Sequence, residues 1–225
     1  MKPKKRVLIK ASSNLYYAIG LITTDGYLSI DGRHISFTSK DEELAKLFRS
    51  CLGINNVIGK KASGYQREKK YYVVQFGDIV FYQWCLRLGL MPNKSKKLTH
   101  LNIPDKYFFD FLRGCFDGDG TSYAYWDPRW RSSYMFYSAI ASASPAFLIW
   151  LQKTINRLIN IKGRIVSSCR SQQLRFAKKE TKILFKKMYR QKNSAYLKRK
   201  FDKLQNFLKI DFEHAEVVKV VNTQD

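Results

Sequence analysis

Hydrophobic and polar positions along this chain repeat one order of elements twice. Behind a cap cluster of Ser12, Ser13 and Asn14, an apolar helical pattern runs to Asp25-Gly26. Residues 27–31 and 33–38 read as strands joined at Asp31-Gly32, a hairpin signal. Ser39 and Asp41 open a helix over 42–52, with Leu44, Leu47, Phe48 and Cys51 at helical spacing and Gly53 closing it. A second hairpin, 57–62 and 71–76, leads to a helix over 79–88 that stops at Gly89. After Pro104 the order recurs. A helix spans 107–117, and strands 121–126 and 130–140 flank the Asp127-Pro128-Arg129 turn. Pro145 starts a helix to about residue 158. A hairpin of 163–168 and 172–177, a helix over 181–189 and a last amphipathic helix over 194–208 follow. The pattern predicts an α+β protein of two pseudo-symmetric αββαββα repeats, residues 1–104 with the linker and 105–225. Each is a four-stranded antiparallel sheet backed by helices on one face and open on the other.

Both repeats begin with the same local sequence. Ala18-Ile19-Gly20-Leu21-Ile22-Thr23-Thr24-Asp25-Gly26 aligns with Leu112-Arg113-Gly114-Cys115-Phe116-Asp117-Gly118-Asp119-Gly120. In each, one carboxylate sits where a helix stops, beside unpaired carbonyls and the negative end of the helix dipole. A divalent cation reverses that unfavourable sign, because carboxylate and carbonyl oxygens suit magnesium. Gly20 and Gly114 lack a Cβ, so the two helix backbones can approach closely and bring Asp25 and Asp119 together. Carboxylates paired in this way fit metal-assisted phosphoryl chemistry.

The doubled motif resembles the LAGLIDADG homing endonucleases, specifically the single-chain type with two motif copies, and the resemblance covers nearly the whole chain. It implies a saddle of two sheets astride duplex DNA, with the motif helices at the central interface. It also implies a site-specific double-strand endonuclease that hydrolyses both strands of a long non-palindromic site with Mg2+ or Mn2+. By match to the motif, Asp25 and Asp119 are the metal-binding catalytic acids, with the carbonyls of Thr24 and Gly118 beside them. The family also uses a lysine near each scissile phosphate; by location these are Lys94 and, in the second half, Arg190 or Lys192. The sixth motif position, commonly acidic as at Asp117, is Thr23 in the first copy. That change bears on the helix interface rather than on the final acids.

Charge supports a polyanionic partner. The 225 residues carry 41 Lys+Arg against 18 Asp+Glu, a formal net charge of +23. The basic residues are spread along the chain, and no amphipathic basic segment or membrane-length apolar run stands out. The expectation is a soluble, intracellular monomer of a prokaryotic cytoplasm or organelle matrix, with double-stranded DNA as partner, intron RNA as an additional candidate and no membrane. Cys51, Cys85, Cys115 and Cys169 have neither zinc-ligand nor disulfide spacing, and His34, His100 and His214 form no ligand pair.

The open strand faces supply candidate DNA contacts: Lys60, Lys61, Gln66, Arg67 and Gln75 in the first repeat, and Arg129, Arg131, Arg164, Ser167, Arg170, Gln172, Gln173 and Arg175 in the second. The first hairpin of the second repeat is longer and rich in Tyr and Trp, which predicts a longer reach along DNA and an asymmetric site. Alternatives of other classes are an intron maturase, a catalytically inactive DNA- or RNA-binding protein of the same fold, and a basic structural protein. Two intact acids favour the enzyme.

Overall fold

The computed structural model describes residues 6–62, 68, 70–129, 133–168, 171–191 and 193–221. The first half comprises α1 (Ser13–Asp25), β1 (Gly26–Leu28), β2 (His34–Ser39), α2 (Glu42–Cys51), β3 (Ile58–Lys61), β4 (Tyr71–Gly77) and α3 (Ile79–Arg87). The second comprises α4 (Phe108–Asp119), β5 (Gly120–Trp126), β6 (Tyr134–Ser142), α5 (Pro145–Ile159), β7 (Arg164–Ser168), β8 (Ser171–Phe176) and α6 (Lys178–Met188), followed by α7 (Lys198–Val221). The two sheets have equivalent orders, β1-β2-β4-β3 and β5-β6-β8-β7, and all pairs are antiparallel.

Alternation along the central strands fixes which side of each sheet is covered. In β2, Ile35, Phe37 and Ser39 are buried while His34, Ser36 and Thr38 are partly open. In β6, Tyr134, Phe136, Ser138 and Ile140 face the core. Helices α2 and α3 cover the first sheet, and α5, α6 and α7 the second. Between them α1 packs against α4, the most extensive contact between any two helices. Both are hydrophobic nearly all round, which is why they sit at the centre rather than on a surface.

The elements match the sequence pattern with shifted ends. The start of α1 is capped by Ser12, whose hydroxyl accepts the Leu15 N–H at 3.2 Å. The last helix differs most, running Lys198–Val221 rather than over 194–208. Its start is delayed because Leu197 N–H is held by the Asp117 carboxylate at 2.7 Å. It continues because Asp211 pairs with Lys178 and Lys182, and His214 meets the Trp126 ring edge-on at 5.0 Å. The longer hairpin of the second repeat is present, with β5 and β6 of 7 and 9 residues against 3 and 6 in β1 and β2. Ahead of α1, Arg6 and Val7 are tied to the domain: their N–H groups donate to the Asp78 carboxylate at 2.6 and 2.9 Å, and Val7 is buried.

Candidate functional site

Two helix ends make the site, and glycine makes their approach possible. A Cβ on Gly20 would stand 2.8 Å from Gly114 Cα and closer still to the Phe111 carbonyl oxygen. A Cβ on Gly114 would stand 3.0 Å from Gly20 Cα and closer to the Tyr17 carbonyl. The backbones therefore touch, as the spacing of the motif glycines predicts. Further along, a Cβ on Gly118 would lie 3.0 Å from Asp25 Oδ2. The Asp25 carboxylate thus reaches the terminus of the opposing helix.

Asp25 ends α1 and Asp119 ends α4, with Gly26 and Gly120 as their C-caps. Burial raises both carboxyls, Asp25 to about 6, where repulsion from Asp119 adds to the rise; Lys200 and Lys94 oppose it at both. Asp119 is the more open of the pair. A recess of about 430 Å³, lined among others by Lys40, Asp41, Tyr71 and Arg199, opens onto Asp25 and Gly118.

One lysine attends each helix end. Lys94, in a short 3-10 turn after α3, is buried and donates to the Gly26 carbonyl. Lys200 Nζ shares its three N–H donors among four carbonyl oxygens around the end of α4: Phe116 and Asp117 at 2.8 Å, Gly118 at 3.0 Å and Gly120 at 2.7 Å. Burial lowers both ammonium groups to about 8, with Asp25 and Asp119 opposing the shift. Sequence location singled out Lys94 but not Lys200. Lys192 lies outside the described residues. Arg190 is at the opposite end of α4, where it donates to the Lys106 carbonyl and stands 3.8 Å from Asp110. The signal for Lys200 was its position on the buried stripe of α7 with Leu204 and Phe207, where an unpaired lysine is costly.

The sixth motif positions differ in what they bind. Asp117 Oδ2 accepts from Tyr17 Oη across the helix interface and from Leu197 N–H, both at 2.7 Å. Asp117 therefore ties α1, α4 and the residue just ahead of α7 together, Leu197 lying three residues before Lys200. Thr23 instead turns its hydroxyl back to the Ile19 carbonyl of its own helix at 2.7 Å. Near the other end of α4, buried Arg113 donates to the Ala195 carbonyl at 2.8 Å and the Met188 carbonyl at 2.5 Å, and pairs with Asp110 at 3.0 Å.

The oxygen donors fit a hard divalent cation. Two carboxylates from different helices converge with helix-end carbonyls, and a cation relieves the repulsion that helps to raise Asp25. No cluster of three His, Cys, Asp or Glu forms among the described residues, and the carboxylates that end the two motif helices are Asp25 and Asp119. Of the flanking carbonyls, Gly118 also accepts from Lys200, while Thr24 commits its hydroxyl to Gly20 and Leu21 carbonyls.

Strand register sorts the expected DNA contacts. On the open face of the first sheet lie Gln75, opposite Ser36, and Lys61, opposite Tyr71. On that of the second lie Arg164 and Arg175, opposite each other, and Gln173, opposite Val166. Three expectations are corrected. Lys60 shares the helix-covered face with Tyr72 and Val74, its ammonium 5.2 Å from the Tyr72 ring centre. Ser167 and Gln172 pair with each other on the face that carries Leu174 and Ile165. In each case alternation of side chains along the strand puts the residue one position out of phase with the open face. Arg129, exposed at the hairpin tip, is held to Asp127 by bonds of 3.1 and 2.9 Å. Gln66, Arg67, Arg131 and Arg170 lie outside the described residues.

Residues 13–83 match the LAGLIDADG-like domain family. Over the whole chain the fold is similar to that of the LAGLIDADG meganuclease I-AabMI bound to uncleaved DNA, with 14% identity, 92% of each chain covered and a TM-score of 0.62. It is also similar to the I-LtrWI LAGLIDADG homing endonuclease bound to target DNA, with 13% identity, 91% of each chain and a TM-score of 0.59. The N-terminal LAGLIDADG domain of DUF199/WhiA matches at 15% identity over 88% of this chain and 90% of that one, with a TM-score of 0.53. No curated protein matches the sequence. At identities this low, the property shared with the solved structures is the fold.

Proposed function

We propose that this chain is a site-specific endonuclease that recognises a long non-palindromic DNA duplex and hydrolyses both strands with magnesium or manganese. The observation that carries the reading is the convergence of Asp25 and Asp119, one per repeat, each helix end attended by a buried lysine. Asp25 and Asp119 would hold the cation, which supplies a polarised water and stabilises charge on the leaving oxygen. Lys94 and Lys200 set positive charge beside the acids and position the helix ends. The open sheet faces flank this centre. Arg164 and Arg175 sit directly opposite each other there, a like-charge pair that a bound phosphate would stabilise. Both repeats are in one chain, so a monomer contains a complete pair of acids, and unequal repeats suit an asymmetric site. A non-cleaving nucleic-acid binder of the same fold, including an intron maturase, would use the same faces without needing the acids. The test is incubation with a randomised duplex library and magnesium, followed by sequencing of cut ends. One recurrent cleaved sequence supports the reading; binding selection without any cut product supports the non-cleaving alternative.

A further inference from the structure

The open faces of the two sheets differ in chemistry. In the first, the central strand β2 presents His34, Ser36 and Thr38, β4 adds Tyr71, Val73 and Gln75, and β1 adds Tyr27, so hydrogen-bonding side chains predominate and Val73 is the one aliphatic among these. In the second, the corresponding positions of β6 are Met135, Tyr137, Ala139 and Ala141, and β5 adds Tyr123 and Tyr125 opposite Tyr137 and Met135. The tyrosine rings form one slab. Tyr137 stacks on Tyr123 at 5.2 Å and 18°, and on Tyr125 at 6.3 Å and 10°. Arg175 lies 5.9 Å from the Tyr123 ring centre and, with Arg164, lines the same recess.

We infer that the second repeat reads its half of the DNA site largely through the 5-methyl groups of thymines, whereas the first repeat reads hydrogen-bonding base edges. The major groove displays one apolar group, the thymine methyl, and apolar side chains recognise it by contact. The slab suits this better than it suits stacking with unpaired bases. Tyr137 is sandwiched between Tyr123 and Tyr125, and Arg175 lies over Tyr123, so most ring face is already in contact and the exposed part is the outer side of Tyr125 with the ring edges and the Met135 and Ala141 side chains. Arg164 and Arg175 would hold flanking phosphates. The inference rests on the duplex-DNA reading proposed above.

The test uses the full chain and the duplex it selects from a random library. Gln75→Ala and Gln173→Ala, which alter base preference under the first and second repeats respectively, assign the two half-sites. Deoxyuridine then replaces thymidine in one half at a time, removing only the methyl. Substitution under the second repeat should weaken binding roughly threefold to fivefold per contacted methyl, from the burial of one apolar carbon. Substitution under the first should change affinity by less than about twofold on the same scale. In Tyr137→Ser the uridine effect should shrink. Unchanged affinity in the second half, or an equal loss in both halves, overturns the inference while leaving the endonuclease reading intact. Tighter binding to the single strand than to the duplex also overturns it, in favour of base stacking. Failure to select any duplex defeats both.

Discussion

Where α4 ends, carbonyl oxygens lose their helical partners, and the Lys200 ammonium shares its three N–H donors among four oxygens there, those of Asp117, Gly118 and Gly120 and that of Phe116, which also accepts the Gly120 N–H. Lys94 holds one carbonyl in the first repeat. The two lysines therefore share a neighbourhood but differ in structural weight. Lys200→Met should cost roughly 2 kcal/mol in urea unfolding, because it leaves buried acceptors unpaired, and Lys94→Met roughly 1 kcal/mol. Both should reduce DNA cutting further than the stability loss explains. Equal stability costs would contradict the difference in bonding. On the surface, Lys61→Ala should flatten the slope of log affinity against log salt by about one unit, as expected for one lost phosphate contact. Lys60→Ala should leave the slope unchanged, since that ammonium lies over Tyr72 on the covered face. A salt titration of both variants distinguishes them.

Among elements, the α1–α4 contact sets the distance between the acids. Even Gly20→Ala or Gly114→Ala places a Cβ against backbone, so each should cost about 1 to 3 kcal/mol or more, with a disproportionate loss of cutting. A variant with normal stability and activity would show that the backbones are free to separate. This contact was legible in the sequence because two glycines at equal motif positions have few other uses inside apolar helices. The sheets were legible for a similar reason, since alternation and turn residues mark each hairpin. Lys200 was not, because a lysine in a basic helix differs from its neighbours only by the stripe it occupies. The faces of Lys60, Ser167 and Gln172 were also hidden, as a one-residue shift in strand phase exchanges covered for open. The start of α7 depended on Asp117 reaching Leu197, a long-range bond with no local signature.

Across the whole molecule, α7 joins the two repeats. Arg199 forms a two-bonded pair with Asp41, at 3.0 and 2.6 Å, at the start of α2. Hydrogen bonds from Arg199 hold the Asp41 carboxyl below its ordinary range, with the guanidinium charge adding to them. A depressed carboxyl contributes stability above its unfolded pKa near ~4, and that contribution is lost as pH falls through the folded value. Arg199→Ala should therefore lower stability at neutral pH by up to about 1 kcal/mol, given the exposure of the pair, with the difference closing in acid. A deficit that persists undiminished at low pH would assign Arg199 a packing role instead.

The central claim is that Asp25 and Asp119 form one metal-dependent centre from two repeats. The most direct measurement compares wild type, Asp25→Asn and Asp119→Asn on the library-selected duplex, with affinity measured in calcium and strand cutting in magnesium. Calcium fills oxygen sites with looser geometry, so it separates binding from hydrolysis. Each variant should keep binding the duplex and lose double-strand cutting by roughly a hundredfold or more, the scale of removing one group that stabilises transition-state charge. Undiminished double-strand cutting by either variant, or full cutting by wild type in a chelator, would contradict the account.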